Sequence, residues 1–130
     1  MIVIDASAMV EALVGRDADE SLLAALSGGV AAPHILDVEV LSVLRGLILG
    51  GKLREGDADD ARADHFDLTI LRYDTAPLAD RIWSLRHSYT SYDAAYLALA
   101  EALQATLHTC DHKLDSGGHE VDVHVHPRSQ

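Results

Sequence analysis

Apolar residues fall in short bursts along this chain, and the period of each burst predicts an element. Ile2, Val3 and Ile4 form a β-branched run without alternation, the pattern of a strand buried on both faces. A helix follows to Val14, with Ser7 as its cap and Gly15 as its stop. Glu20 to Leu26 reads as a second short helix, and Val30 to Ala32 as a second strand closed by Pro33. Between Ile35 and Leu49, Leu36, Val40, Val43, Leu44 and Leu47 recur at about 3.6 residues per turn, so this segment is a helix with one apolar face. Gly50 and Gly51 end it.

The stretch EGDADDARADHF, residues 55–66, is polar with alanines and predicts a solvated helix. Leu68 to Leu71 is the next strand. Ala76 to Leu85 is an amphipathic helix that tolerates Pro77 in its first turn. In SYDAAYLALAEALQA, Tyr92, Tyr96, Leu99 and Leu103 share a helical face. Ala105 to Cys110 forms another strand, and the alternating Val121, Val123 and Val125 a last one. Strands separated by helices imply the α/β class, with three α/β/α layers around a central, mostly parallel sheet.

Composition narrows the class. The chain has 130 residues, the size of one domain, so a single domain over 1–130 is expected. An apolar share of 48% is too high for disorder. Cys110 is the only cysteine, which suits a reducing compartment. Asp5 and Glu11 interrupt the first apolar run, unlike a signal peptide, so a cytoplasmic protein is expected. The net charge of −11 argues against a simple electrostatic grip on nucleic acid, which needs a basic footprint.

Four carboxylates change that reading. Asp5 ends the first strand, and Asp111 follows the strand ATLHTC. Asp93 stands in the first turn of its helix, where the positive end of the dipole favours an anion. Glu39 lies three residues after Leu36 and four before Val43, on the apolar stripe, where an unpaired charge is costly. In open α/β sheets, ligand sites form beyond the carboxyl ends of the strands. If the four converge, their repulsion forces some to protonate unless a divalent cation intervenes. Hard oxygen ligands suit Mg²⁺ or Mn²⁺, and such an ion polarises a phosphoryl oxygen and inverts the local charge. An acidic protein then becomes able to handle a phosphodiester.

These pieces together resemble the PIN-domain ribonucleases, and among them the VapC-type toxins of toxin–antitoxin pairs. The matching stretches are MIVIDASAMVEAL, PHILDVEVLSVLRG, SYDAAYLALAEAL and LHTCDHKL, in the family's order and spanning most of the chain. The resemblance places the acidic quartet on Asp5, Glu39, Asp93 and Asp111, and its accompanying hydroxyls on Ser7 and Thr109. It implies an Mg²⁺- or Mn²⁺-dependent endoribonuclease that hydrolyses RNA with an activated water. It also implies a homodimer, and a heterotetramer or larger assembly with a VapB-type antitoxin whose basic tail covers the acidic cleft.

Other residues carry weaker signals. Arg16, Arg81, Arg86 and Lys113 are candidates to hold RNA phosphates, although isolated basic residues usually face solvent. Asp115 is a candidate fifth carboxylate, with a surface position the plainer reading. His124 and His126 would share one face of the last strand; with the valines inward, the histidines face water. Trp83 and Tyr73 are candidate base-stacking rings, with core packing expected for Trp83. Ser7 lacks the G-x-S-x-G setting of a nucleophile. Two other function classes stay open on the residues alone. One is a metal-dependent phosphatase with Asp5 as covalent nucleophile, although Ser7 stands where its second Asp belongs. The other is an inactive PIN-like binding module.

Overall fold

The computed structural model describes residues 1–129. Five strands, β1 (Ile2–Ile4), β2 (Val30–Pro33), β3 (Ile70–Tyr73), β4 (Thr106–Thr109) and β5 (Val123–Val125), form one sheet in the order β3-β2-β1-β4-β5. Every neighbouring pair is parallel. Val3 and Ile4 of the central strand are fully buried, as are Ala31 and Ala32 beside them. Two-sided burial is why these strands read as continuous apolar runs.

The helices are α1 (Ala6–Val14), α2 (Glu20–Ala25), α3 (Ile35–Leu49), α4 (Glu55–Asp67), α5 (Ala79–Ser84) and α6 (Ser91–Leu103). Helices α1, α3 and α4 pack on one another, α5 packs on α6, and α6 lies against β1, β2 and β4. Every residue from Ala94 to Ala100 is buried, and the alanines there let α6 approach the sheet closely. The result is the expected three-layer α/β/α architecture. From β1 the sheet grows through β2 to β3 on one side and through β4 to β5 on the other. The direction of winding therefore reverses between β1 and β4. A crevice opens at such a switch point beyond the strands' carboxyl ends, which is where Asp5 and Asp111 lie.

Several local expectations are corrected. The N-cap of α1 is Asp5, whose side chain accepts from the Ala8 N–H, and Ser7 sits inside the helix. The segment Ala76 to Leu85 divides into a 3₁₀ turn, Ala76–Leu78, and α5. Trp83 is 65% exposed rather than in the core. The short α5 buries Ile82, and the next position around the helix points away; the Arg86 guanidinium covers the Trp83 ring at 4.9 Å. His124 is exposed, but His126 is buried. Asp19 and Ser21, at the start of α2, close over the His126 ring, which stacks on His108 of β4 at 5.0 Å.

Candidate active site

Asp5 answers to both of its roles. It caps α1, with Oδ1 accepting from the Ala8 N–H at 3.0 Å, and it faces the crevice at the switch point. Ser7 Oγ donates to the same oxygen at 2.7 Å, and Thr109 Oγ1 donates to Oδ2. The two hydroxyls reach across in turn: Ser7 Oγ accepts from the Cys110 N–H, and Thr109 Oγ1 from the Asp111 N–H, both at 2.9 Å. One small network thus ties the end of β1 to the end of β4 and holds the Asp5 carboxylate in a single orientation.

Glu39 reaches the same space from α3. It is half-buried, and its Oε1 accepts from the Tyr96 hydroxyl of α6 at 2.6 Å. Asp93, in the first turn of α6, is positioned by its N–H donating to Thr90 Oγ1 at 3.1 Å. Asp111 precedes the 3₁₀ turn His112–Asp115, and its Oδ1 accepts from the Lys113 N–H at 3.0 Å. All four acids line one cleft of about 920 Å³, together with Ser7 and Tyr96. Asp115 does not line it.

The electrostatics record this convergence. Burial pushes the Asp5 carboxyl above the usual carboxylate range, against its hydrogen bonds, and Asp93 adds repulsion. Burial also raises Glu39, with Asp5 and Asp93 repelling it. Asp93 is raised by burial and then by Asp111. The Tyr96 hydroxyl is driven upward by burial and by its bond to Glu39, so it stays a donor. An all-oxygen donor set of mutually repelling carboxylates is the chemistry that suits Mg²⁺ or Mn²⁺. Among the described residues, no three acidic, histidine or cysteine side chains stand close enough together to hold a metal as they are placed. The fit therefore rests on donor chemistry and shared field rather than on ready-made ligand distances.

The cleft also holds residues the sequence reading did not single out. Glu11 lines it and is buried, accepting from both the N–H and the hydroxyl of Ser129. Its signal was present: Glu11 lies four after Ser7, on the same face of α1. Gly15 makes room for it, since a Cβ there would collide with the Glu11 carboxylate. Lys52 and Arg128 line the cleft beside the anticipated Arg16. Arg81 instead forms a bidentate pair with Glu101, and neither Arg86 nor Lys113 lines the cleft. Tyr73 and Trp83 do not line it either.

Comparison with known proteins agrees with this architecture. The PIN domain family matches residues 2–119. Ribonuclease VapC9 of Mycobacterium tuberculosis is 39% identical over 129 residues, covering 98% of this chain and 100% of the relative. Ribonuclease VapC1 of the same species is 42% identical over 118 residues, covering 86% of each. Among solved structures, M. tuberculosis VapC20, a sarcin–ricin-loop-cleaving toxin, superposes with a TM-score of 0.65 at 21% identity, covering 98% of this chain and 100% of that one. A toxin–antitoxin complex from Klebsiella pneumoniae gives 0.60 at 20% identity, covering 90% and 92%. At such identities the structural likeness speaks for the fold. With a family match across most of its length and close relatives along nearly all of it, the chain belongs to the VapC branch of the PIN-domain family.

Proposed function

We propose that this chain is a divalent-metal-dependent endoribonuclease toxin, with Asp5, Glu39, Asp93 and Asp111 holding Mg²⁺ or Mn²⁺, and that a VapB-type antitoxin keeps it inactive. The observation that carries the reading is the shared cleft at the switch point. Four carboxylates from four separate segments face one space, and three of them are destabilised by burial and by one another. When bound, the ion would offset that repulsion and polarise a phosphoryl oxygen of the RNA backbone.

The chain's own residues set the geometry. Asp5 is the rigid ligand, because three donors hold its carboxylate. Glu39 orients the attacking water beside the ion, and the Tyr96 hydroxyl fixes its rotamer. Asp93 and Asp111 complete the acidic wall.

A cognate antitoxin is supported by the company the fold keeps, which includes a toxin–antitoxin complex. A basic segment would find charge complementarity in the acidic cleft of a chain carrying −11. Homodimerisation, and a heterotetramer or larger complex with the antitoxin, belong to the same reading. The test is sequencing of RNA ends after induced expression, beside Asp5→Asn, with the purified chain assayed in Mg²⁺ and in chelator. New ends that require Asp5 and the cation are expected. RNA cleavage that survives chelation, or full activity in Asp5→Asn, would overturn the assignment.

A further inference from the structure

We propose that Arg16, Lys52 and Arg128 form a phosphate-binding end of the cleft that grips the RNA backbone away from the scissile bond, and that Glu11 and Ser129 position Arg128 there. This rests on the reading of the cleft as an RNA site. Two neighbouring helices build the same gradient. Along α1 the cleft-lining residues run from Asp5 through Val10 and Val14 to Arg16; along α3 they run from Glu39 through Val43 and Leu47 to Lys52. Each begins acidic, carries apolar residues at helical spacing and ends past the helix in a cation; on α1 the one acid within the stretch, Glu11, is taken up by Ser129. The nine residues of α1 span ~14 Å at 1.5 Å per residue. That exceeds the spacing between neighbouring phosphates along a strand. A strand with its reacting phosphate at the acidic end thus carries a further phosphate toward the basic end.

Charge makes the placement pointed. The chain has 10 lysines and arginines against 21 acids. Arg54, Arg72 and Arg81 are held in ion pairs; of the cations without one among the described residues, Arg16, Lys52 and Arg128 are those that line the cleft, with the acids of α4 flanking Arg16 and Lys52 on the far side. Arg128 arrives on a stitched C-terminal segment. The His126 N–H donates to the Thr109 carbonyl at 2.8 Å, and its ring is held between His108 and Asp19. Ser129 binds Glu11 through N–H and hydroxyl, and the Asp17 N–H donates to Ser129 Oγ at 3.1 Å.

The experiment measures binding apart from cleavage. A labelled, short, mixed-sequence single-stranded RNA is titrated with the Asp5→Asn chain across a salt series and followed by anisotropy. Arg128→Ala in that background should weaken binding about 10-fold and reduce the slope of log K against log salt by about 0.7, one phosphate contact on a single strand. Arg128→Lys should keep the slope. Ser129→Ala should produce part of the loss, and nothing further on top of Arg128→Ala. Arg45→Ala, an exposed cation outside the cleft, should change neither quantity. If Arg128→Ala fails to fold, Lys52→Ala carries the same expectation. Unchanged affinity and slope in the folded variants, or no RNA binding by Asp5→Asn, would overturn the inference. Failure of the catalytic reading is seen separately, as absence of Mg²⁺- or Mn²⁺-dependent cleavage by the unmutated chain.

Discussion

Asp37 and Glu39 stand two residues apart on α3 and live in opposite surroundings. Two residues rotate about 200° around a helix, so the two side chains leave on nearly opposite sides. Asp37 meets a guanidinium and an imidazole. Arg72 of β3 binds both its oxygens, at 2.8 and 3.0 Å, and His65 of α4 adds a contact at 2.8 Å. Burial alone would raise the Asp37 carboxyl, but these partners more than offset it and hold it below the usual range. Glu39 meets other carboxylates and one neutral hydroxyl, and is raised. One side of α3 is a joint that ties helix, helix and strand together. The other is a wall of the cleft. The joint pairs its acid, and the cleft leaves its acid without a cation, the pattern expected of a ligand site.

The sharpest way to break this contrast is to neutralise each acid in turn. Glu39→Gln keeps an acceptor for Tyr96 but removes the charge. RNA cleavage should fall by about 100-fold or more, at least the upper end of what losing an outer-shell partner costs a metal site. Thermal melting should stay the same or rise. Cleavage at the unmutated rate would remove Glu39 from the machinery. Asp37→Asn should do the reverse. It should lower the unfolding free energy by about 2 kcal/mol, as expected for partly buried, charge-assisted hydrogen bonds, and leave the cleavage rate per folded molecule unchanged. Denaturant titration and single-turnover cleavage on the same samples separate the two outcomes.

A subtler change tests the link between the sides of the cleft. Tyr96→Phe leaves the fully buried ring in place and deletes only the donor to Glu39. Cleavage should drop about 10-fold, the lower end of an outer-shell effect. A drop as large as that of Glu39→Gln would mean that the hydroxyl does more than orient.

The smallest effect is in pH dependence. Asp37 has a depressed pKa in the fold, so its stabilising contribution is present above its ordinary value of 3.8 and lost as pH falls through the folded value. Asp5, Glu39 and Asp93 are raised, so the folded state binds more protons than the unfolded one. Their contribution erodes as pH climbs from the ordinary carboxylate range through their folded values. In chelator, melting temperature should therefore rise and then sag with pH. Asp5→Asn should flatten the sag, and Asp37→Asn the acid-side rise. Identical profiles in both variants would show that the two groups of carboxylates do not differ as described.

Much of this molecule was legible along the chain because local rules act over a few residues. The run at Ile2–Ile4, the stripe from Leu36 to Leu44 and the glycines at 15 and 50 mark β1, α3 and the helix ends by periodicity and by glycine's low helix propensity. The position of Asp5 past a buried strand, and of Glu39 on an apolar stripe, announced carboxylates under constraint. Where periodicity stopped, so did the reading. Trp83 was expected in the core, because a six-residue helix does not reveal which of its apolar residues the sheet layer will cover.

The sequence by itself determined the order of strands and helices, and which acids were out of place among apolar neighbours. Side-chain period and chain direction are local quantities. Only the tertiary structure decided that Glu11 meets Ser129, that His126 is sealed against His108 by Asp19, and that Arg16, Lys52 and Arg128 share a cleft with the acids. Those partners lie far apart in the chain. Their meeting depends on the winding reversal between β1 and β4 and on how residues 126–129 pass beside α1, which no pattern within a few turns of helix encodes.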